Sequence, residues 1–293
     1  SNPTYKIVTE SKNLVLRRKP PGKLLPSAHA VDREYKVITA LYQTDVPVPK
    51  TYGLCENDEI AGTAFFVMDF LDGDLFWNPM IPSLSNQDRT EIYQNKNKTL
   101  ALLHGVDYKK IGLEDYGKPG NYVARQVARW SKQYRASETD DIEAMNNLID
   151  WLPKNIPDDD ETSIVHGDYR LDNMILKNNQ VMGILDWELS TLGHPIADFS
   201  YHCLSWRTQE AFWNQAKLKE LGIPSEKEYM DMYCENTGKD LSKNWEFYMA
   251  FNMFKIAGIL QGILGRVRDG TASSKHAEDR GMMVYPLSEA AWN

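Results

Sequence analysis

Cysteine is scarce in this sequence, with three residues among 293. Cys55, Cys203 and Cys234 lie far apart, so they show neither the spacing of a zinc site nor the even number of a disulfide framework. Such usage is typical of a reducing compartment. Since no secretory leader opens the sequence, we expect a cytoplasmic protein.

A long apolar run and an excess of basic charge are also missing. The best candidate for a membrane span, residues 254–264, is short and interrupted by Lys255 and by two glycines, so it predicts a buried helix. The formal net charge is −8, and no basic domain is present to attract a phosphate backbone. We therefore expect neither a membrane nor a nucleic acid as partner.

What is present is ample apolar content, 42% of the residues, which suits one large domain or two lobes. Residues 14–18 alternate and then meet a turn at residues 20–22, which predicts a strand. Residues 28–42 have a helical apolar period, and residues 64–71 form an apolar run of strand length. The start of the chain therefore predicts a small sheet lobe with one helix.

Helices dominate the rest of the chain, beginning with a helix start signal at Ser85. The exception is a short strand followed by a hairpin around Asn178-Asn179. We place the lobe boundary near residues 69–73, which gives an N-terminal lobe over residues 1–71 and a C-terminal lobe over residues 72–293. The predicted helices are 85–104, 121–134, 141–152, 196–204, 210–221, 226–236, 244–267 and one near 274–292.

Three oxygen-bearing side chains follow the predicted strand at 163–165 at a spacing that suggests one common site. Asp168 is followed five positions later by Asn173, and Asp186 ends the second strand of the predicted hairpin. Phosphoryl transfer from ATP needs one carboxylate to orient the acceptor hydroxyl, and carboxylate and amide oxygens to hold Mg²⁺ on the phosphates. Each residue alone would more simply be a turn or capping residue. Together they predict Asp168 as the catalytic base and Asn173 and Asp186 as metal ligands.

The predicted sheet lobe offers candidates for nucleotide binding. A strand cation that pairs with a helix carboxylate grips the α- and β-phosphates in kinases, and Arg17 and Glu34 can form such a pair. A solvated basic strand end explains Arg17 equally well. The lobe connector would hold adenine mainly through backbone groups, so its residues are assigned by position, and an ordinary buried strand is the alternative. They are Met68, Asp69, Phe70 and Leu71.

Other polar residues are assigned to support or to substrate binding. We expect His166 to lock the catalytic loop from below and Asp198 to support it from the first turn of a helix. Arg125 and Arg129 lie on a basic helix that can receive an anionic substrate, although a solvated helix face is the simpler explanation. Arg170, two positions after Asp168, is a further substrate candidate.

These segments resemble the aminoglycoside phosphotransferase-like family of small-molecule kinases, closest to the branch that includes kinase domains fused to acyl-CoA dehydrogenases. The resemblance covers essentially the whole chain, and the two central blocks are highly specific together. The matching blocks are residues 15–22 (VLRRKPPG), 27–29, 33–35, 66–70 (FVMDF), 122–126 (YVARQ), 166–173 (HGDYRLDN), 185–193 (LDWELSTLG) and 259–262 (ILQG).

The resemblance implies an α+β, protein-kinase-like fold with a small antiparallel N-terminal sheet lobe plus one helix and a larger, mainly helical C-terminal lobe. It implies ATP and Mg²⁺ as cofactors and the same roles for the residues named above. Arg17 stands where the family often has Lys, and His194 where the branch often has Asp. Residues 1–5 resemble the tail of the nucleotide-covering loop, whose glycines do not occur in this sequence.

The acceptor is open at this level. Kinship with the fused branch implies a hydroxyacyl compound such as a hydroxyacyl-CoA, whose anionic groups would suit the basic helix. An aminoglycoside or another small alcohol is the alternative, and a polycationic aminoglycoside would need an acidic cleft instead. A protein kinase is disfavoured because no long activation segment precedes residues 193–195. A non-catalytic nucleotide or acyl-CoA binding module is disfavoured because Asp168, Asn173 and Asp186 are all intact.

Overall fold

We describe the chain from a computed structural model, in which residues 2–22, 29–272 and 274–293 are placed. Ala28, where the first helix was predicted to begin, and Ser27 of the matching blocks lie outside these ranges. The chain packs as two compact units, and the predicted lobe boundary after residue 71 lies inside the first and stays a prediction. The first unit comprises Ser1–Lys118, Ser163–Leu192 and Asn214–Lys239, and the second comprises Pro119–Thr162, Gly193–Trp213 and Asp240–Asn293.

The elements of the described residues follow in chain order. The strands are β1 (Thr4–Val8), β2 (Asn13–Arg18), β3 (Thr51–Cys55), β4 (Phe65–Asp69), β5 (Ser163–Val165), β6 (Met174–Lys177), β7 (Gln180–Ile184) and β8 (Thr191–Gly193). The helices are α1 (Val31–Leu41), α2 (Asp58–Ala61), α3 (Asn86–His104), α4 (Tyr122–Ser137), α5 (Glu143–Trp151), α6 (Pro195–Cys203), α7 (Ser205–Thr208), α8 (Gln215–Glu220), α9 (Glu226–Thr237), α10 (Trp245–Arg268), α11 (Ala277–Met282) and α12 (Val284–Trp292).

A four-stranded antiparallel sheet with the strand order β1-β2-β4-β3 opens the first unit. The central pair, β2 and β4, sets Arg17 opposite Phe66. Helix α1 buries Val37, Ile38 and Leu41 and packs against β3 and β4. The small antiparallel sheet lobe with a packed helix, expected from the sequence, is confirmed, and so is a mainly helical remainder. Strand β1, which was not predicted, pairs with β2 along its whole length.

The rest of the first unit positions the β6–β7 hairpin. Asn178 and Asn179 both have positive φ, 50° and 62°, as a two-residue hairpin turn requires. The Asn179 side-chain amide donates to Asp88 at 2.7 Å and to Glu91 at 2.9 Å, and both of these lie on α3. The hairpin is therefore held on α3, whose predicted start is confirmed by a capping box between Ser85 and Asp88.

The second unit is helical, and α10 is its centre. Among the described residues this helix is long and apolar enough to cross a membrane, but 61% of its most apolar window is buried. It packs against α4, α6, α11 and α12. Burial on several sides is what a core helix shows, in line with the expectation for residues 254–264.

Two predicted helices are each interrupted in the structure. The predicted helix 210–221 is a 3₁₀ turn at Glu210–Phe212 followed by α8, because the Asn214 side chain accepts the Lys217 N–H and starts a new helix. The predicted helix near 274–292 is divided into α11 and α12, with Met283 between them. Apolar periodicity continues across both breaks, so it did not reveal them.

Candidate active site

The loop between β5 and β6 carries Asp168, and His166 fixes its course. The His166 ring is buried and packs on Trp187 with centroids 4.9 Å apart. Its Nε2 lies 2.9 Å from the carbonyl oxygen of Leu185, which can only accept, so Nε2 carries the proton. Nδ1 then accepts the Asp168 N–H at 3.2 Å. A neutral ring thus ties the loop to the residue that precedes Asp186.

Asp168 and Asn173 are joined by the side-chain amide of Asn173. Its Nδ2 donates to the carbonyl oxygen of Asp168 at 2.9 Å and to Oδ2 of the same residue at 3.2 Å. Because the nitrogen is used in this way, Oδ1 of Asn173 is directed to the other side of the amide. The Asp168 side chain keeps 24% of its surface exposed, so an acceptor molecule can reach its carboxylate.

Asp186 follows β7 in the left-handed region, with φ 60° and ψ 63°. This conformation costs an L-residue roughly 1–2 kcal/mol, although Asp and Asn adopt it more readily than most. The preceding Leu185 donates its N–H to the carbonyl oxygen of Asn173 at 2.8 Å. This bond joins the end of the hairpin to the loop that carries Asp168, and left-handed non-glycine residues of this kind cluster at functional sites.

Arg17 links two carboxylates that lie far apart in the sequence. Its Nε donates to Glu34 Oε2 at 2.9 Å, and its second terminal nitrogen donates to Asp186 Oδ1 at 2.6 Å. The Arg17 side chain is 11% exposed and that of Glu34 is 1% exposed. Strand β2 therefore turns Arg17 towards α1 and Asp186, which alternation along the strand could not decide.

Burial and charge act against each other in this cluster. Burial works against the charged form of Arg17, but the carboxylates of Glu34 and Asp186 outweigh it and raise the pKa of Arg17. Burial raises the pKa of Glu34 above its ordinary value, and the attraction of Arg17 opposes this only in part. Arg17 therefore stays positively charged, whereas desolvation disfavours the charged form of Glu34.

The donor set of Asn173 and Asp186 fits Mg²⁺. Both residues offer oxygen, which this ion prefers, and Mg²⁺ usually takes one or two protein ligands together with phosphate oxygens. The amide orientation leaves Oδ1 of Asn173 available, and Asp186 has a second carboxylate oxygen beyond the one that contacts Arg17. No cluster of three or more His, Cys, Asp or Glu side chains able to hold a metal occurs in the described part of the chain. The remaining ligands would therefore have to come from a nucleotide and from water.

The assigned connector residues lie at the end of β4 and just beyond it. Met68 is buried, and Asp69 accepts a hydrogen bond from the Tyr52 hydroxyl at 2.7 Å. Phe70 donates its N–H to the Asn13 carbonyl at 3.4 Å. A Cβ on Gly183 would lie 2.2 Å from Leu71 Cδ1, so Leu71 packs against the β7 backbone. The connector thus lies directly beside the hairpin that leads to Asp186.

Arg170 is the substrate candidate that lies beside Asp168. Its Nε is 3.5 Å from Asp168 Oδ1, and a terminal nitrogen donates to Asp172 at 2.7 Å. The side chain is 58% exposed. An exposed cation at this place can meet an anionic acceptor next to the proposed base.

Three further candidates lie in the second unit. Asp198 is buried in the first turn of α6. Arg125 donates to the Gly120 carbonyl at the start of α4, and Arg129 is exposed on the same helix with its guanidinium 5.5 Å from the Trp130 ring centroid. Their roles in support and substrate binding stay predictions.

Sequence reasoning missed contacts that hold the cluster around Glu34. Asn2 is buried and donates to Glu34 Oε1 at 2.5 Å. Arg33, next to Glu34, contacts the carbonyl oxygens of Tyr116 and Ser190. Separations of 32, 83 and 157 residues leave no local signal for these contacts.

The sheet lobe, the loop with Asp168 and the strand-end Asp186 define the protein-kinase-like class. A match to the phosphotransferase enzyme family covers residues 1–233, and the chain belongs to this family. A Ralstonia eutropha protein assigned as an aminoglycoside phosphotransferase has a crystal structure with 50% sequence identity and a TM-score of 0.91, covering 100% of this chain and 88% of that one. The expected resemblance is confirmed.

The chain is also similar to acyl-CoA dehydrogenase family member 10 of Mus musculus, which is 45% identical over 300 residues. The alignment covers 100% of this chain and 28% of that relative, so the chain spans less than a third of its length. At 11% identity and a TM-score of 0.65, a complex of aminoglycoside phosphotransferase APH(4)-Ia with ADP and hygromycin B shows the fold alone; it covers 98% of this chain and 88% of that one.

Proposed function

We propose that this chain is an ATP-dependent phosphotransferase that moves the γ-phosphoryl group to a hydroxyl of a small molecule. The observation that carries the proposal is the double pairing of Arg17 with Glu34 and Asp186. The cation lies between a helix carboxylate and a strand-end carboxylate, and its side chain is only 11% exposed. This is the arrangement that grips nucleotide phosphates next to a metal ligand in kinases.

Within this proposal each side chain has one task. Arg17 contacts the α- and β-phosphates, and Glu34 holds its guanidinium in place. Asn173 and Asp186 would hold Mg²⁺, which neutralises phosphate charge and aligns the transferred group. Asp168 accepts the hydrogen bond of the acceptor hydroxyl and takes up its proton, a contribution that is typically worth about 10²- to 10⁴-fold in rate. The connector at residues 68–71 receives the adenine ring.

A hydroxyacyl compound, such as a hydroxyacyl-CoA, is the acceptor that we propose first. Support comes from the relatives that are named as acyl-CoA dehydrogenase family members and match over 99–100% of this chain. Arg170 supplies a cation next to Asp168, and Arg125 and Arg129 add charge on α4. Guanidinium groups suit carboxylate or phosphate groups.

An aminoglycoside or another small alcohol is the second candidate. It is favoured by the Ralstonia eutropha structure at 50% identity, which is assigned as an aminoglycoside phosphotransferase. A polycationic acceptor would have to tolerate Arg170 beside Asp168, which weighs against it. A non-catalytic nucleotide or acyl-CoA binding module is a third possibility, which turnover of any acceptor would remove. The cytoplasmic location and the absence of nucleic-acid and membrane partners stay predictions.

The deciding experiment is a screen for ATP consumption over hydroxy acids, hydroxyacyl-CoA esters, sugars and aminoglycosides. We expect Mg²⁺-dependent formation of ADP and of a phosphorylated product with an anionic hydroxyacyl acceptor. Asp168→Ala should lower turnover by at least about 100-fold while the circular dichroism spectrum and melting temperature stay close to wild type. Full turnover in that variant, or product formed without consumption of ATP, would end the proposal.

A further inference from the structure

Arg33 occupies the position before Glu34 on α1 but faces a different part of the chain. One terminal nitrogen of its half-buried guanidinium donates to the carbonyl oxygen of Tyr116 at 2.8 Å and to that of Ser190 at 3.3 Å. The guanidinium carbon also lies 4.4 Å from the centroid of the Tyr116 ring. The Arg33 guanidinium thus contacts two carbonyl oxygens and an aromatic face, and its planar shape suits the contact with the ring.

The two residues that receive Arg33 are themselves joined. Ser190 Oγ donates to the carbonyl oxygen of Trp187 at 2.6 Å, so the hydrogen bond between Ser190 Oγ and the Tyr116 hydroxyl must be donated by the tyrosine. Both residues are buried. Burial raises the pKa of Tyr116 to about 12, so this hydroxyl keeps its proton at neutral pH.

Trp187 directly follows Asp186, and its indole nitrogen donates to the Ile184 carbonyl at 3.0 Å. The contacts therefore run from Arg33 through Ser190 to the residues on both sides of Asp186. On the same helix Glu34 bonds to Arg17, which bonds to Asp186. Helix α1 is therefore attached to the segment around Asp186 in two ways. Glu34 reaches Asp186 through Arg17, and Arg33 reaches the Ser190 carbonyl oxygen.

We propose that Arg33 is a positioning residue that locks α1 onto the segment after Asp186, so that Glu34, Arg17 and Asp186 are assembled before nucleotide binds. The inference rests on the proposed phosphotransferase function. Its physical basis is that two adjacent residues on a helix, 33 and 34, face different partners, so that α1 cannot rotate or withdraw without breaking both sets of contacts. Arg33 touches neither the phosphates nor the acceptor and acts through Glu34.

The test compares Arg33→Gln with Lys36→Gln. Lys36 is the matched control because it lies one turn further along α1 and pairs with Asp115, close to Tyr116 in the sequence, but through an exposed ion pair at 2.5 Å. Exposed pairs of this kind contribute little. We expect Arg33→Gln to lower kcat/KM for ATP by about 100-fold, as misplacement of a binding group by about an ångström does. Lys36→Gln should match wild type.

Hydrogen exchange gives a readout that needs no activity. Amides of α1 should exchange faster in Arg33→Gln and at the wild-type rate in Lys36→Gln. A wild-type protein that consumes no ATP removes the proposed function, whereas unchanged α1 exchange in Arg33→Gln overturns the positioning role. If Arg33→Gln does not fold, Arg33→Lys decides, because the shorter side chain keeps the charge but cannot place a nitrogen where the terminal guanidinium nitrogen meets both carbonyl oxygens. Wild-type exchange and kinetics in Arg33→Lys also overturn the inference.

Discussion

The side-chain amide of Asn173 donates to Asp168 twice, to its carbonyl oxygen at 2.9 Å and to its Oδ2 at 3.2 Å. One side chain therefore sets both the backbone and the carboxylate of the proposed base. The same two bonds fix which atom of the amide remains for a cation. The geometry thus couples the orientation of the proposed base to the proposed metal site through a residue that carries no charge.

Replacement of Asn173 tests this coupling. Asn173→Asp puts a carboxylate oxygen against two acceptor oxygens of Asp168, so we expect it to lower kcat by about 100-fold, as misplacement of a catalytic group does. Asn95→Asp serves as the control, because Asn95 also donates to a carbonyl, that of Asn179, at 3.0 Å. Steady-state kinetics decide. Equal kcat values for Asn173→Asp and wild type would contradict the coupling.

Asp186→Asn separates the charge of Asp186 from its backbone conformation. Asn tolerates the left-handed φ of 60° nearly as well as Asp, whereas Ala would add backbone strain. We expect Mg²⁺-dependent nucleotide binding to weaken by more than the roughly 10- to 100-fold that loss of an outer-shell partner costs. Isothermal titration with a non-hydrolysable ATP analogue, with and without Mg²⁺, measures the effect. Asp115→Asn, an exposed ion-pair residue, is the control, and an Asp186→Asn titration that overlays wild type would exclude the metal role.

Glu34 predicts a pH dependence whose sign differs for activity and stability. Since burial raises its pKa above the ordinary value of 4.5, the carboxylate takes up a proton at a higher pH than a solvated Glu does. As the pH falls through the raised pKa, Arg17 loses its partner and kcat/KM for ATP should fall. The folded state binds this proton more readily than the unfolded state, so the stability from Glu34 is complete below pH 4.5 and decreases as the pH rises through the raised pKa.

Glu34→Gln should weaken the pH dependence of both kcat/KM for ATP and the free energy of unfolding. We expect lower kcat/KM at neutral pH, no acid limb from this group, and a weaker pH dependence of the free energy of unfolding. The control is Glu246→Gln, since Glu246 is paired with Arg207 at an exposed site and its pKa is lowered by that hydrogen bond. An acid limb that survives in Glu34→Gln would assign it to another group.

Local signals explain which elements could be predicted from sequence. The capping box at Ser85 and the turn at Asn178-Asn179 are contained in a few residues, and both are found in the structure. Strand β1 was missed because the apolar alternation at residues 4–7 is too short to predict a strand. Four of its five residues are exposed, so it does not contribute an apolar face to a core. Its position depends on pairing with β2, which a sequence pattern at residues 4–8 does not contain.

In the candidate site, too, residues close together in the sequence could be predicted and long-range contacts could not. Asp168, Asn173 and Asp186 lie within nineteen consecutive positions of one segment, so their spacing could be interpreted. The direction of the Arg17 side chain could not be predicted, because its contact with Asp186 spans 169 residues. It also depends on which face of β2 is turned towards α1. Arg33 was missed for the same reason, since it binds backbone carbonyl oxygens that any residue type would supply.

Gly167 predicts a stability effect that does not depend on the proposed function. Its φ is 82°, and an added Cβ would lie 2.8 Å from the Leu189 carbonyl oxygen. Gly238, with φ 73° and open space around it, is the matched control. We expect Gly238→Ala to cost about 1–2 kcal/mol from backbone strain alone and Gly167→Ala to cost clearly more. Urea unfolding measures both, and equal losses would show that the contact with Leu189 relaxes freely.

Arg170→Gln tests the proposed place of an anionic acceptor. The Arg170 side chain is 58% exposed, whereas its partners Asp168 and Asp172 are 24% and 14% exposed. Since the cation itself is largely solvated, we expect its loss to change the free energy of unfolding by about 1 kcal/mol. If Arg170 contacts the acceptor, its loss should raise KM for an anionic acceptor by roughly tenfold, the equivalent of one charge-assisted hydrogen bond, and leave KM for ATP unchanged. Arg135→Gln, which breaks a similar exposed pair with Glu138, controls for general loss of surface charge. A rise in KM for ATP alone, or no change for either substrate, would move the acceptor site away from Arg170.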